Sequence, residues 1–287
     1  MKDLIIIGAG PAGLTAAIYG IRSGLDLTVV EKLSPGGQVM NTYEVENYPG
    51  FEEPIAGWEL MSRMEAQARR LGAEIVSSDV ASVARDAASG TFKVQMADNS
   101  VLESRSVIAA SGASYKRLGV PGEEQYLGHG VSFCATCDGA FYKDRVCAVV
   151  GGGDTALEEA YFLTRFARKV YLIHRRDKFR GVKVLQDRVM ASDKIELVLD
   201  SVVESINGTT KVERVVIKNV KTGIQSTLAV DGFFIFIGFN SNTGYLPAEV
   251  LDENRDVMAD MNMRTAVPGL FAAGDLRSGS RRQIVMA

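Results

Sequence analysis

The sequence predicts an α/β protein with two Rossmann-like domains of three layers (ββα), the second inserted in the first. A single hydrophobic core rarely serves more than about 250 residues. A chain of 287 residues is therefore expected to form two domains. A glycine-rich turn follows an apolar run twice, at residues 8–13 and 151–156. The next apolar run ends at the same distance from each turn, on Glu31 and on His174. Two copies of one dinucleotide-binding βαβ unit would produce this spacing.

The first copy begins with the apolar residues 4–7, which predict a buried strand that runs into Gly8. An alanine-rich stretch after Gly13 predicts a helix, and residues 27–30 predict the second strand. Residues 107–111 predict another buried strand, which stops at Gly112 and closes this half.

The second copy repeats this order. Residues 146–150 predict the strand before Gly151, residues 157 to about 166 predict the helix, and residues 170–173 predict the next strand. Residues 233–237 predict the closing strand, which stops at a glycine as in the first copy.

Further β-forming segments lie between these elements and after them. Residues 92–96 and 212–220 predict short antiparallel strands. A last apolar strand ends on Gly274-Asp275, and we assign it to the first domain. The expected first domain therefore covers residues 1–115 and 242–287, and the expected second domain covers 116–241.

Composition excludes several classes of partner. The net charge of −3 comes from 32 basic and 35 acidic residues that are mixed along the chain. No polybasic face therefore indicates binding to nucleic acid or to anionic lipid. No run reaches the roughly 18 apolar residues that a membrane-spanning helix needs, and we expect a cytoplasmic protein.

The first glycine turn predicts a dinucleotide site. A pyrophosphate needs backbone N–H groups at a helix N-terminus and no Cβ at the closest approach, which Gly8, Gly10 and Gly13 provide. Glu31 would accept hydrogen bonds from ribose hydroxyls and repel a 2′-phosphate, so we expect a cofactor without that phosphate. The alternative interpretation is an ordinary tight turn.

The second turn is followed by basic residues where the first copy has an acid. His174, Arg175 and Arg176, with Arg180 shortly after, favour a 2′-phosphate and therefore NADPH over NADH. The alternative is that these arginines are merely solvated. Two different dinucleotide sites imply two cofactors, and a flavin is the natural acceptor of a nicotinamide hydride.

Cys134 and Cys137 form a C-x-x-C sequence, which indicates a redox pair or half of a metal site. A structural zinc ion would need four ligands, and the other candidates, Cys147, His129 and His174, are scattered. We therefore favour redox chemistry without a metal. Asp138 is a candidate general acid for the leaving thiolate, and its alternative role is that of a helix-capping or surface carboxylate.

These motifs, taken together, resemble those of bacterial low-molecular-weight thioredoxin reductase, from Leu4 to the last residue. The matching sequences are Gly8-Ala9-Gly10-Pro11-Ala12-Gly13, Gly36-Gly37-Gln38, Val45-Glu46-Asn47-Tyr48-Pro49-Gly50, Cys134-Ala135-Thr136-Cys137-Asp138, His174-Arg175-Arg176-Asp177 and Gly274-Asp275.

The resemblance implies two sets of cofactor-binding residues. FAD is expected on Gly8, Gly10, Pro11, Ala12, Gly13, Glu31, Gly36, Gly37, Gln38, Asn47, Gly112, Gly274, Asp275, Arg282 and Gln283. NADPH is expected on Gly151, Gly153, Asp154, Thr155, His174, Arg175, Arg176 and Arg180.

The resemblance also implies the roles of the redox residues. In similar enzymes the cysteine at Cys137 receives electrons from the flavin, the one at Cys134 attacks the thioredoxin disulfide, and the aspartate at Asp138 is the acid. The expected assembly is a homodimer in which the NADPH domain rotates. Residues 115–118 and 240–244 would be the hinges.

Three departures from the resemblance are visible. After Ala287 the family continues with a glycine-rich turn and a helix over the flavin, so we expect FAD binding and dimer stability to depend on that segment. Ser111 replaces the usual Thr, and Gly238-Phe239-Asn240 replaces a frequent Gly-His.

Two other functions are compatible with these motifs. One is a related flavin disulfide reductase that uses another electron donor, such as reduced ferredoxin or flavin, or another dithiol partner. The other is a non-catalytic module that senses dinucleotides, which the C-x-x-C sequence disfavours.

Overall fold

A computed structural model describes residues 1–41, 45 and 47–287. Glu46, part of one motif above, lies outside the described residues. The chain divides into two compact units. Unit 1 comprises Met1–Ser114 and Asn240–Ala287, and unit 2 comprises Tyr115–Phe239.

Five helices and seventeen strands are present in the described part of the chain. The helices are α1 (Pro11–Arg22), α2 (Gly57–Arg70), α3 (Ala135–Asp138), α4 (Asp154–Leu163) and α5 (Lys183–Met190). The first strands are β1 (Lys2–Ile7), β2 (Leu27–Glu31), β3 (Glu74–Ser77), β4 (Val80–Arg85), β5 (Phe92–Met96), β6 (Val101–Ala109) and β7 (Ala113–Tyr115). The others are β8 (Val131–Ser132), β9 (Val146–Gly151), β10 (Lys169–Ile173), β11 (Ile195–Val198), β12 (Ser201–Gly208), β13 (Val212–Asn219), β14 (Gln225–Ala229), β15 (Gly232–Phe236), β16 (Phe239–Ser241) and β17 (Leu270–Ala272).

Unit 1 is built on a seven-stranded sheet in the order β3-β2-β1-β6-β5-β4, with β17 beside β6. The strands β3, β2, β1, β6 and β17 run parallel, whereas β5 pairs antiparallel with both β6 and β4. One face is covered by α1 and α2, whose Leu14, Leu60 and Met61 are fully buried. The core on the other face includes Ile5 of β1, Phe92 of β5 and Val257.

Unit 2 repeats the arrangement. Its parallel sheet has the order β11-β10-β9-β15-β8, and the antiparallel sheet β12-β13-β14 is a separate layer. One core joins the parallel sheet to α4 and α5 through residues such as Leu157 and Val189. The second core joins it to β12 and β13 through Ile206 and Val215.

The predicted elements are present, with small differences at their ends. The helix after the second glycine turn begins at Asp154 and ends at Leu163, whereas the sequence predicted 157 to about 166. Gly153 is extended and precedes the helix, so Asp154 opens it. After Leu163 the chain continues in single turns, and Phe166 N–H donates to the Leu163 carbonyl. None of the helices in the described ranges is long and apolar enough to cross a membrane.

Candidate active site

The glycine positions of unit 1 lie at one edge of its sheet. Gly8 follows β1, Glu31 ends β2, Gly112 follows β6 and Gly274 follows β17. Because these four strands are parallel, their carboxyl ends meet at the same edge. This is the edge at which open α/β sheets bind ligands.

The first glycine turn leaves an open approach to its backbone. Gly8 has φ +105°, and a Cβ there would lie 2.4 Å from the carbonyl oxygen of Ala110. A Cβ on Gly13 would lie 1.8 Å from the carbonyl oxygen of Gly8, so a side chain would separate the turn from α1. At Gly10 no described atom lies within 4 Å of the Cβ position. Gly8 and Gly13 are therefore required for close packing of the backbone. Gly10 leaves open space next to Pro11, the first residue of α1.

Glu31 ties the end of β2 to this turn. Its Oε2 accepts a 2.7 Å hydrogen bond from Ala9 N–H, and its Oε1 accepts one of 3.1 Å from Leu33 N–H. Each carboxylate oxygen can accept more than one hydrogen bond, so both can still accept from ribose hydroxyls. The turn and this carboxylate fit the diphosphate and ribose of a dinucleotide.

The Gly36-Gly37-Gln38 segment lies beside the same turn. Gly36 N–H donates to the Ala9 carbonyl at 2.8 Å, and a Cβ on Gly37 would lie 3.5 Å from Gly10 Cα. Gln38 is exposed. Gly36 and Gly37 have φ +125° and +60°, which favour glycine.

The C-terminal motif reaches the start of α1. A Cβ on Gly274, where φ is +81°, would lie 2.9 Å from Ala12 Cβ. Burial raises the pKa of Asp275, which is next in the chain, while a hydrogen bond from Ser280 opposes that rise. The charge of Arg282 acts on Asp275 in the same direction as Ser280.

Two more expected FAD ligands are joined by a side-chain contact. Asn47 Nδ2 donates to Gln283 Oε1 at 3.1 Å, and both residues are exposed. Gly112 has φ +66° and open space at its Cβ position. Next to it, the hydroxyl of Ser111 hydrogen-bonds to the Asn242 carbonyl and to the Tyr245 hydroxyl.

The second glycine turn repeats the first in unit 2. A Cβ on Gly151 would lie 2.4 Å from the Phe236 carbonyl oxygen, whereas the Cβ position of Gly153 is open. Asp154 opens α4, and Thr155 follows it on the exposed first turn. Asp154 Oδ1 accepts a 2.7 Å hydrogen bond from Val182 N–H. The carboxylate therefore fastens the loop before α5 to the start of α4.

His174 supports the turn from behind. The residue is buried, and a Cβ on Gly152 would lie 2.2 Å from its ring. Its Nε2 lies 3.1 Å from the Lys178 carbonyl, and burial lowers its pKa. The neutral ring acts in packing, and it is not on the exposed surface with the arginines.

The three arginines place exposed positive charge on the segment that follows β10. Arg175 and Arg176 follow β10, and Arg180 is brought to the turn by its own N–H, which donates to the Gly152 carbonyl at 2.7 Å. Among the described residues none of the three takes part in an ion pair, so their guanidinium groups can bind an anion.

Cys134 and Cys137 form a disulfide, with their Cα atoms 5.3 Å apart. Cys134 comes just after β8, the edge strand that runs parallel to β15. The redox pair is therefore at the same sheet edge as the glycine turn of unit 2. Cys134 Sγ accepts from Cys137 N–H at 3.2 Å and lies 3.2 Å from Thr136 Oγ1. Within the described residues no group of three or more His, Cys, Asp or Glu could hold a metal ion.

Asp138 lies in a setting that suits proton transfer. Burial raises the pKa of its carboxyl, and hydrogen bonding from Ser132 opposes that rise. The Ser132 hydroxyl also accepts from Cys134 N–H at 3.0 Å and donates to the Cys134 carbonyl at 3.2 Å, so it contacts the backbone of the redox pair. Burial raises the pKa of Tyr142 to about 12, with a further contribution from the charge of Asp138.

Sequence reasoning missed Ser132 and Glu159. Glu159 lies in the second turn of α4 and accepts hydrogen bonds from Ala135 N–H and Thr136 N–H. Its sequence neighbours resemble an ordinary helix surface, so no local signal distinguishes it. Only the packing of α3 against α4 reveals this contact.

Comparisons with known proteins agree with this geometry. A family profile described as "Pyridine nucleotide-disulphide oxidoreductase" matches residues 2–287. The chain is 46% identical to a thioredoxin reductase of Listeria innocua over 287 residues, which is 99% of this chain and 89% of the relative.

Two solved structures are similar over the whole chain. The thioredoxin reductase from Streptococcus pyogenes is 45% identical with a TM-score of 0.86, and the match covers 100% of this chain and 93% of that one. The thioredoxin reductase from Giardia duodenalis is 39% identical with a TM-score of 0.87, and the match covers 100% and 94%.

Proposed function

The chain belongs to the pyridine nucleotide-disulphide oxidoreductase family, and we propose that it reduces the disulfide of thioredoxin with electrons from NADPH, passed through FAD and the Cys134–Cys137 pair. The observation that carries this proposal is a disulfide at the sheet edge of unit 2. The same chain has two open glycine turns, one beside the acidic Glu31 and the other followed by exposed arginines. A sensing module would not need the disulfide.

Unit 1 is the proposed FAD site. The space around Gly10 is open, and the carboxylate of Glu31 is hydrogen-bonded to the turn. Gly36, Gly37 and Gly274 lie close to that turn. The remaining proposed contacts are Pro11, Ala12, Gln38, Asn47, Gly112, Asp275, Arg282 and Gln283.

Unit 2 is the proposed NADPH site. The open position at Gly153 suits a diphosphate, and Arg175, Arg176 and Arg180 suit the 2′-phosphate. Asp154 holds the loop before α5, and the buried His174 packs against the turn. Gly151 and Thr155 complete the set.

The reaction at the cysteines balances two electrons. FAD supplies a carrier that accepts a hydride from NADPH and passes two electrons on. Reduction of the disulfide, with uptake of one proton, leaves a Cys134 thiolate and a Cys137 thiol. Cys134 attacks the thioredoxin disulfide, which forms a mixed disulfide and releases one thioredoxin thiolate.

Proton transfer completes the cycle. Asp138 donates a proton to the released thiolate, for which its raised pKa prepares it. The Asp138 carboxylate then takes the proton of Cys137, whose thiolate attacks Cys134 Sγ and expels the second thioredoxin sulfur as a thiolate, which takes a proton from solvent. The cycle ends with reduced thioredoxin and the disulfide that the structure shows.

The larger-scale features are also proposals. The chain changes unit between Ser114 and Tyr115 and again between Phe239 and Asn240. We place the hinges of a rotation at residues 115–118 and 240–244 on that basis and on the resemblance described above. The same resemblance supports a homodimer, and the small number of cysteines supports a cytoplasmic location.

The test is anaerobic turnover of oxidised thioredoxin by FAD-loaded protein, with NADPH compared with NADH. We expect turnover with a clear preference for NADPH. Flavin that NADPH reduces without any turnover of thioredoxin would indicate another dithiol partner. Flavin that neither nucleotide reduces would indicate another donor or a sensing module.

A further inference from the structure

A carboxylate from another helix holds the first turn of the redox helix α3. Glu159 Oε2 accepts hydrogen bonds from Ala135 N–H at 3.0 Å and from Thr136 N–H at 3.2 Å. The next N–H in the chain, that of Cys137, donates to Cys134 Sγ at 3.2 Å. Three successive amides are therefore shared between one carboxylate oxygen and one redox sulfur.

These amides are the groups that would otherwise stabilise a Cys134 thiolate. N–H groups at the start of a helical turn lower the pKa of a cysteine placed there, because they donate to the negative sulfur. Glu159 engages two of the three. An ionised Glu159 also places a negative charge beside the turn, and that charge opposes a second one on Cys134.

The surroundings of Glu159 act on its charge in opposite directions, and the two hydrogen bonds from α3 are what favour the carboxylate. Burial raises the pKa of Glu159, whereas the hydrogen bonds from Ala135 and Thr136 lower it and the charge of Glu158 raises it further. Two donated hydrogen bonds to the carboxylate favour its charged form. The half-buried position limits screening by solvent.

We propose that Glu159 is a positioning residue that keeps the Cys134–Cys137 pair strongly reducing, by holding the first turn of α3 and by destabilising the Cys134 thiolate. A pair whose reduced form is less stable has a lower reduction potential. A lower potential favours transfer of electrons to a second disulfide, so this inference rests on the proposed function.

The experiment compares two neighbouring acids on α4. Glu159→Gln removes the charge but keeps an oxygen that can accept from both amides. Glu158→Gln removes an equal charge from an exposed position. In FAD-loaded protein, the potential of the pair is measured by equilibration with dithiothreitol redox buffers and thiol trapping. The thiol pKa of Cys134 is measured from the pH dependence of its alkylation by iodoacetamide.

We expect Glu159→Gln to lower the thiol pKa of Cys134 and to shift the exchange equilibrium toward the dithiol by about threefold or more. A tenfold shift corresponds to about 30 mV for this two-electron couple. Glu158→Gln should leave both quantities close to the wild-type values. An equal shift in the two variants, or none in Glu159→Gln, would overturn the proposal.

A second variant guards against a folding defect. Glu159→Met removes the charge and the acceptor, and it should shift the potential in the same direction as Glu159→Gln. A purely structural role would lower the unfolding temperature of Glu159→Met and leave the potential of the folded protein unchanged, which would also overturn the proposal. Neither readout uses NADPH or thioredoxin, so failure of the proposed function would not imitate either result.

Discussion

The carboxylate of Glu31, at the end of β2, accepts a 2.7 Å hydrogen bond from the N–H of Ala9, in the middle of the first glycine turn. At the equivalent place in unit 2, the ring of His174 packs against Gly152, in the middle of the second turn. Both units therefore fasten the end of the second strand to the turn after the first. The contact is made by the carboxylate of Glu31 in unit 1 and by the neutral ring of His174 in unit 2. In unit 2 the exposed arginines follow His174 in the chain.

Glu31→Ala is expected to weaken FAD binding by about tenfold or more. The change removes the proposed ribose acceptor, and a hydrogen bond to a charged group contributes about 1.5–3 kcal/mol. It also leaves the buried Ala9 N–H unpaired, which lowers the stability of the folded protein. FAD affinity is measured by titration of apoprotein with flavin fluorescence. Glu103→Ala, an exposed acid on β6, is the control and should bind FAD normally. Equal affinity in the two variants would contradict the assignment.

Arg176→Ala is expected to raise the KM for NADPH by about tenfold or more and to leave the KM for NADH almost unchanged. The reason is that a hydrogen bond to a charged group contributes about 1.5–3 kcal/mol, and only NADPH carries the 2′-phosphate. Steady-state kinetics with both nucleotides measure the difference. Arg168→Ala, another exposed arginine of unit 2, should change neither value. An equal rise in KM for both nucleotides would contradict the assignment of Arg176 to the 2′-phosphate.

Cys134→Ser is expected to allow reduction of the flavin by NADPH but to abolish turnover of thioredoxin. The reason is that the serine hydroxyl cannot attack a disulfide or re-form one with Cys137. Flavin bleaching at its visible absorption band and thioredoxin turnover are measured on the same preparation. Cys147→Ala is the control, because Cys147 is free and fully buried. Turnover retained by Cys134→Ser would remove the assigned role.

Asp138→Asn is expected to slow thioredoxin turnover by about 10²- to 10⁴-fold, which is the usual contribution of a general acid. It should also raise Tm at neutral pH. Burial raises the pKa of Asp138 in the folded protein, so the folded state disfavours its carboxylate. This destabilisation is complete above the raised pKa and absent below the ordinary aspartate range, where both states are protonated.

The gain in Tm of Asp138→Asn should therefore shrink as the pH falls through the aspartate range. Thermal unfolding over a pH series measures it, with Asp193→Asn as an exposed control that should show no gain. A gain that is constant with pH would show that the ionisation of Asp138 is not its cause.

Local sequence patterns were sufficient for most of the fold. Apolar runs before Gly8 and Gly151 predicted β1 and β9, and both strands are fully buried over most of their length. The start of α4 was placed too late, since Gly153 rather than Ala156 precedes the helix. The two-residue strand β8 has no detectable pattern, because so short a segment pairs only where β15 is already in place.

The sequence by itself determined the two dinucleotide turns, the succession of strands and helix along each copy and the residues of the redox pair. These depend on neighbours in the chain, whose spacing and polarity can be read directly. The tertiary structure decided that Arg180 reaches Gly152, that His174 lies behind its turn and that Glu159 binds the first turn of α3. Each of these contacts forms only when separate elements pack together, so no local pattern encodes it.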